Sequence, residues 1–259
     1  MFYENVSTGL FLSRPNRFLA HVMLNGKEIV CHVKNTGRLK ELLIPGVPVG
    51  VQHHPDAASL GRKTEYSLIS VAKPADEHAV LSGGRDLFRT ENGLLFRWVN
   101  IDSQAPNQAA FEWLSTGHGL PFCPRPQEIR REVRYGLSRF DLSFSDCGTP
   151  WFMEVKGVTL DVNGTAMFPD APTDRGIKHL DELGAAVRDG YGAAALFVIQ
   201  MKGISAFSPN AKTHPEFADA LVRAKRNGVH IWAYDCLVTE DSMQIHQPVK
   251  VILPQGHSA

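Results

Sequence analysis

The chain lacks the features that would place it in several large protein classes. Its four cysteines, Cys31, Cys123, Cys147 and Cys236, form no C-x-x-C pair and no Cys/His cluster with zinc-ligand spacing. That argues against a structural zinc site, and free thiols fit a reducing cytoplasm. The longest apolar stretch, YGAAALFVIQM, is too short and too rich in Gly and Ala to span a bilayer, so no membrane partner is expected. The start, MFYENVSTGL, has no basic segment leading into an apolar core, so no secretory leader is expected. Charge of one sign is also missing: 27 Lys+Arg balance 27 Asp+Glu, for a formal net charge of +0. Any anionic partner must therefore be held by a local patch rather than by the field of the whole molecule. The chain shows no internal repeat and no low-complexity segment.

What is present is an ordinary globular composition, 43% hydrophobic and 21% charged over 259 residues, enough for two domains. The first third reads as β. In FLAHVMLNGKEIVCHVK two apolar-rich runs flank Asn25-Gly26, a strong hairpin signal. PGVPVGVQHH and TEYSLISVAK add further short strands, and the set suggests a small barrel or a sandwich. Gly83-Gly84 marks a linker, which divides the chain into residues 1–82 and 83–259.

Beyond the linker the pattern changes. LLFRWVN is a strand, and APNQAAFEWLSTGHG a helix with Asn107 as N-cap and Gly117 or Gly119 as stop. REVRYG, SRFDLSFS and WFMEVKGV form a three-strand meander. PTDRGIKHLDELGAAVRDG is a helix, with Leu180, Leu183 and Val187 at helical spacing. AALFVIQM is a strand, and THPEFADALVRAKRNG a helix with a capping box from Thr213 to Glu216 and a stop at Gly228. VHIWAYDCLV closes the series as a strand. The second part is thus an α/β domain with a mixed sheet, and the whole chain is α+β.

The segment FMEVKGVTL sets Glu154 and Lys156 two positions apart in a strand, so both project to one face. One strand upstream, SRFDLSFS places Phe140, Leu142 and Phe144 on one face and Asp141 on the other. A two-residue loop at Cys147-Gly148 would bring Asp141 opposite Glu154, with Cβ atoms roughly 5 Å apart. Two facing carboxylates repel unless a positive charge intervenes. Mg²⁺ is suited to the task, because it takes one or two carboxylates, waters and the oxygens of an anionic substrate; Mn²⁺ would serve in its place. Lys156 would then hold a water or a scissile phosphate. The alternative is a metal-free ion pair in which Lys156 bridges the two acids.

RPNRFLAHV, CHVKNTGRLKELLIPG, REVRYGLSRFDL, FMEVKGVTL and FPDAPTDRGIKHLDEL, in this order, resemble the sugar fermentation stimulation protein A family. The resemblance runs from about Arg14 to beyond Leu183. It implies an N-terminal OB-fold domain and a C-terminal nuclease-like domain of the PD-(D/E)XK type. On it Asp141 takes the place of the clan's first metal-binding acid, Glu154 and Lys156 that of the acid-x-lysine pair, and Glu112 that of an extra acid on the first core helix. Phe140 stands where the clan has proline. The resemblance implies either a metal-dependent nuclease acting on DNA or RNA, or a non-catalytic, non-specific DNA-binding regulator of sugar (maltose) metabolism.

Other residues carry weaker signals. Arg125, Arg130, Arg131, Arg134 and Arg139 precede the acid strand and match phosphate geometry. Thr173 starts a helix whose N-terminus would accept a phosphate, although simple capping accounts for it too. In the first domain Arg14, Arg17, Lys34, Asn35 and Arg38 lie in the resembling strings, and an OB fold binds single strands through a basic groove with aromatic stacking. Phe18 is available for stacking but reads better as core. Trp98, Trp113, Trp151 and Trp232 read as core, and His53-His54 as surface. Asp170 and His179 match the family strings without a chemical role, His179 reading as a packed or supporting histidine.

Overall fold

The computed structural model describes residues 1–35, 37–75, 87–89, 93–117, 126–136 and 138–254. The Gly83-Gly84 linker, Gly119, Cys123 and Arg125 lie outside them. The chain forms two compact units. The first comprises Met1–Ala105 with two later segments, Gln200–Gly203 and Cys236–Gln244. The second comprises Pro106–Ile199, Ile204–Asp235 and Ile245–Ala259.

In the first unit β1 (Val6–Asn16), β2 (Leu19–Leu24) and β3 (Lys27–Val33) form an antiparallel meander. Asn25 (φ 51°) and Gly26 (φ 76°) make the two-residue turn between β2 and β3, both left-handed, as the Asn-Gly pair dictates. β4 (Pro48–His53) pairs with β1 and with β5 (Tyr66–Pro74). A parallel pairing of β3 with β5, through His32↔Ser67, closes the circle. This closed five-stranded barrel is OB-like. Its interior is filled by Phe11, Ala20, Val22, Cys31, Val49, Leu68 and Val71, all buried.

β6 (Leu87–Arg89) and β7 (Leu95–Asn100) extend the barrel sheet. The LLFRWVN strand, expected at the start of the second domain, joins the sheet of the first unit, whose first segment runs to Ala105. The reason is pairing: β7 lies antiparallel along β5 from Asn100↔Ser70 to Phe96↔Pro74, and this buries Phe96, Trp98 and Val99. So apolar a strand stabilises the unit whose sheet it joins.

Helix α1 (Ala105–Thr116) leads into the second unit. Asn107 is not its N-cap but lies in its first turn, and Asp102 accepts the Gln104 and Ala105 N–H groups before it. β8 (Gln127–Tyr135), β9 (Ser138–Asp146) and β10 (Thr149–Val158) form the expected antiparallel meander. After β11 (Asp161–Val162), β12 (Thr165–Phe168) and helix α2 (Asp174–Arg188), β13 (Gly192–Ile199) runs parallel to β10. β14 (Ala206–Pro209) and helix α3 (Pro215–Arg226) precede β15 (His230–Val238), which runs parallel to β13. With β16 (Met243–Pro248) the main sheet has the order β16-β15-β13-β10-β9-β8. β17 (Lys250–Val251) completes a smaller sheet, β11-β12-β14-β17. β13 has parallel neighbours on both sides, which is why GAAALFVI is almost wholly apolar.

Helix α2 is capped by Thr173, whose hydroxyl accepts the Gly176 N–H at 3.0 Å. The expected Thr213–Glu216 capping box does not form: His214 is the N-cap of α3 and makes no side-chain cap bond. Its Nδ1 instead accepts the Thr173 N–H at 3.2 Å, which ties the two helix starts together. Trp98 and Trp113 are buried as expected, whereas Trp151 and Trp232 are only half-buried, their rings 6.2 Å apart.

Candidate active site

The β9–β10 hairpin builds the site. Its loop is Cys147 (φ 47°) and Gly148 (φ 85°), the two left-handed residues that the right-handed strand twist favours. The ladder then runs from Asp146↔Thr149 to Leu142↔Met153, the register expected from a two-residue loop. It stops one step before Asp141 and Glu154. There the Asp141 carboxylate takes over from the backbone, and its Oδ2 accepts the Val155 N–H at 2.8 Å. Its Oδ1 accepts from Asn107 Nδ2 at 2.8 Å, so helix α1 fixes the first acid.

Glu154 is the more buried acid, with a side chain 4% exposed. Its Oε1 receives Lys156 Nζ at 2.6 Å and His179 Nδ1 of helix α2. The His179 ring is oriented from its far side by Arg175, whose Nε donates to Nε2 at 3.4 Å. That leaves Nδ1 to donate to Glu154. Both contacts fall on one oxygen. The other, Oε2, is buried and has no hydrogen-bond partner among the described residues. A buried carboxylate oxygen without a donor is costly, and a water, an ion or a substrate group would relieve it.

The acids influence each other. Burial pushes the Asp141 carboxyl above the usual aspartate range, and the Glu154 charge pushes it further, against the Val155 N–H, Lys156 and Asn107. Burial pushes Glu154 up as well, but the His179 bond and the Lys156 charge outweigh it and hold Glu154 below the usual range. The two pKa values are thus driven in opposite directions, as in acid pairs built for chemistry. Lys156 does not bridge the acids: its direct partner is Glu154, and Asp141 is satisfied by Asn107 and Val155.

Glu112 does not complete a cluster. Its Oε1 accepts from Gln108 Nε2, and Gln108 in turn accepts from Arg131. Among the described residues no group of three His, Cys, Asp or Glu side chains is placed to hold an ion. The donor set is then the Asp141–Glu154 pair alone, which suits a hard cation that keeps most of its waters.

The other sequence-picked residues are scattered. Arg14 is occupied by its own barrel, donating to the carbonyls of Gly37, Arg38, Arg17 and Asn35 at 2.7–2.9 Å. Lys34 pairs with the buried Asp102 at 3.1 Å. Arg17 and Arg38 are exposed, and Arg17 lies 6.0 Å from the centroid of the exposed Phe18 ring. Arg134 and Arg139 are exposed and stand opposite each other on β8 and β9, with Arg139 paired to Glu132 at 2.8 Å. The Thr173 hydroxyl is taken by capping. Asn107 holds Asp141, a role its N-cap reading missed, and His179 is the supporting histidine that the sequence reading gave, with its partner Glu154 unassigned. His179 gave one signal, its place in a string shared with relatives; its 25-residue separation from Glu154 hid the contact.

Comparison with known proteins agrees with this architecture. Residues 104–242 match the family model "Sugar fermentation stimulation protein RE domain", and residues 12–81 match "SfsA N-terminal OB domain". A sugar fermentation stimulation protein homolog of Desulfitobacterium hafniense (strain Y51) is 47% identical over 256 residues, 99% of this chain and 100% of that protein. A homolog of the same name from Clostridium beijerinckii is 46% identical over 98% of this chain. The solved structure of Pyrococcus furiosus SfsA in complex with Ca²⁺ superposes with a TM-score of 0.76 at 26% identity, covering 98% of each chain. A barrel followed by a mixed-sheet domain, matched end to end by such relatives, places the chain in the sugar fermentation stimulation protein family.

Proposed function

We propose that the protein is a divalent-metal-dependent nuclease that hydrolyses phosphodiester bonds of DNA or RNA, with Asp141, Glu154 and Lys156 as its catalytic groups. The observation that carries the reading is the buried Glu154 Oε2, left without a partner beside a second carboxylate and a lysine. Asp141 and Glu154 would hold Mg²⁺ or Mn²⁺, which supplies a water of lowered pKa and neutralises charge on the phosphate. The related Pyrococcus protein was solved with Ca²⁺, a hard cation that takes the same kind of oxygen ligands.

The protein's own groups divide the work. Asn107 and the Val155 N–H hold the Asp141 carboxylate in one orientation. His179 holds Oε1 of Glu154, and Oε2 would be the oxygen left to ligate an ion. Lys156, with a side chain 21% exposed, presents its ammonium to solvent and to an incoming phosphate. The exposed guanidinium edges of Arg134 and Arg38, together with Arg17, would add sequence-independent contacts to the backbone. Glu112 would act at a distance, by ordering Gln108 one turn earlier on helix α1 and, through it, Arg131 of β8.

The test is cleavage of single- and double-stranded DNA and RNA with and without Mg²⁺ or Mn²⁺. Native protein should cut only with metal, and Asp141→Ala and Lys156→Ala should lose at least about a hundredfold in rate. Metal-independent binding with no cutting under any divalent ion would defeat the nuclease reading. It would leave a DNA-binding regulator of sugar metabolism.

A further inference from the structure

Helix α2 opens with a cation where its dipole favours an acid. Arg175 lies in the first turn, just after the cap Thr173, at the positive end of the helix. Asp174 beside it obeys the rule and Arg175 breaks it. A local preference broken without a structural gain marks a functional position. The gain here is slight. Among the described residues the guanidinium makes one hydrogen bond, from Nε to His179 Nε2, and at 3.4 Å it is longer than the normal range.

The Nη groups of Arg175 are not engaged by acid. The residue is exposed and forms no ion pair among the described residues. Asp170 and Asp174, the acids nearest in the chain, are themselves exposed and do not pair with it. Asp181 and Glu182, further along α2, pair instead with Arg223 and Lys178. The Nε bond nevertheless fixes where the charge stands. Its acceptor, His179, has a side chain 5% exposed and packs edge-on against Phe140, so the ring is a firm anchor. From it a chain of contacts runs to the acid site within the second unit. Arg175 meets Nε2 of His179, Glu154 Oε1 meets Nδ1, and Lys156 Nζ meets the same oxygen at 2.6 Å.

This chain ends in two cations with different tasks. Lys156 is among the charges that hold Glu154 in its ionised form, and Arg175 is not. The Arg175 charge is therefore directed past the acids, to solvent. A guanidinium with its Nη edge free takes a phosphate through two parallel bonds. That phosphate is not the one at Lys156, because the imidazole and the Glu154 carboxylate separate the two cations along the chain of contacts. A polynucleotide supplies a second phosphate one nucleotide along. We propose that Arg175 binds the backbone phosphate next to the scissile one, and so makes the site select internal bonds of a polynucleotide over an isolated phosphodiester. This rests on the nuclease reading, which identifies the phosphate at Lys156.

Hydrolysis of an oligonucleotide and of bis(p-nitrophenyl) phosphate, a diester with no neighbouring phosphate, tests it with Mn²⁺ present. Arg175→Gln should lower kcat/KM about tenfold on the oligonucleotide and leave the small diester unchanged. An equal loss on both would overturn the proposal, since loss of the His179 bond alone would give that result. No loss on either would overturn it too. A second arm reads the contact without chemistry: fluorescence anisotropy with a labelled single-stranded oligonucleotide, in EDTA and in Ca²⁺. The salt slope should fall by about 0.7 in Arg175→Gln, the signature of one lost contact to a single-strand phosphate. It should hold in Arg175→Lys, which gives up Nε but keeps the charge, and in Arg226→Gln, at an exposed position of α3. Equal slopes throughout, or no binding at all, would overturn the proposal. A thermal melt of each variant separates lost binding from lost folding. If the native chain cut neither substrate with any divalent ion, the nuclease reading would fall, and the salt slope would still decide whether Arg175 meets a phosphate.

Discussion

His179→Ala offers the sharpest probe of the acid site, because it leaves all three proposed catalytic side chains in place. The substitution removes the Nδ1 bond to Glu154 and the ring nitrogen that receives Arg175 Nε. The His179 and Glu154 side chains are 5% and 4% exposed, so the bond is desolvated. A bond to a buried charged group is worth about 1.5–3 kcal/mol net, and the space left by the imidazole adds about 1 kcal/mol. A loss of about 2.5–4 kcal/mol in urea unfolding is expected from these two contributions. The sign of its pH dependence follows from Glu154, whose folded-state pKa lies below its unfolded value. Stability from that ionisation is present above about pH 4.3 and is lost as the pH falls through the lower folded value. The gap between native and variant protein should therefore be widest near neutrality and narrow in acid. Glu154 freed from His179 could swing away from the proposed ion, and loss of such a supporting partner would lower metal affinity about 10- to 100-fold. Calorimetric titration with Mg²⁺ or Mn²⁺ reads this without any cleavage assay. His179→Asn, whose Nδ2 takes roughly the place of Nδ1, should recover much of both losses. Equal metal affinity in native and His179→Ala protein, with a stability gap that does not change with pH, would refute the reasoning.

Two further outcomes follow from the same geometry. Asp141 has a folded pKa above its unfolded value, so its contribution is complete below about pH 3.9 and is lost as the pH rises through the folded value. A divalent ion binds only the ionised acids, so millimolar Mg²⁺ should raise the melting temperature more at about pH 7 than at about pH 4. Scanning calorimetry against an EDTA control checks this. Arg14→Ala should destabilise the barrel by about 2 kcal/mol, because four carbonyls lose their donor, while oligonucleotide affinity per folded molecule stays unchanged. Chemical denaturation followed by anisotropy at a non-denaturing temperature separates the two effects.

The short-range pattern of the sequence determined a good deal. Asn25-Gly26 and Cys147-Gly148 specify two-residue turns because few residues accept left-handed backbone, and a two-residue turn sets the register of the strands it joins. Alternation in SRFDLSFS and FMEVKGV then brings Asp141, Glu154 and Lys156 into one neighbourhood. Tertiary structure decided what periodicity does not encode. Which free edge β7 joins is set by where its apolar face is buried, and that places it in the first unit's sheet. Arg14 reads as a phosphate ligand until a loop 21–24 residues away surrounds it with carbonyls. His179 reads only as a packed or supporting histidine and Asn107 as an N-cap until helices α2 and α1 deliver them to Glu154 and Asp141. His54 reads as surface until the chain returns Arg62 and Ser67 to it. Turns and alternation arise from sterics between neighbours in the chain. The partner of a buried charge is chosen by whichever distant group burial brings within reach.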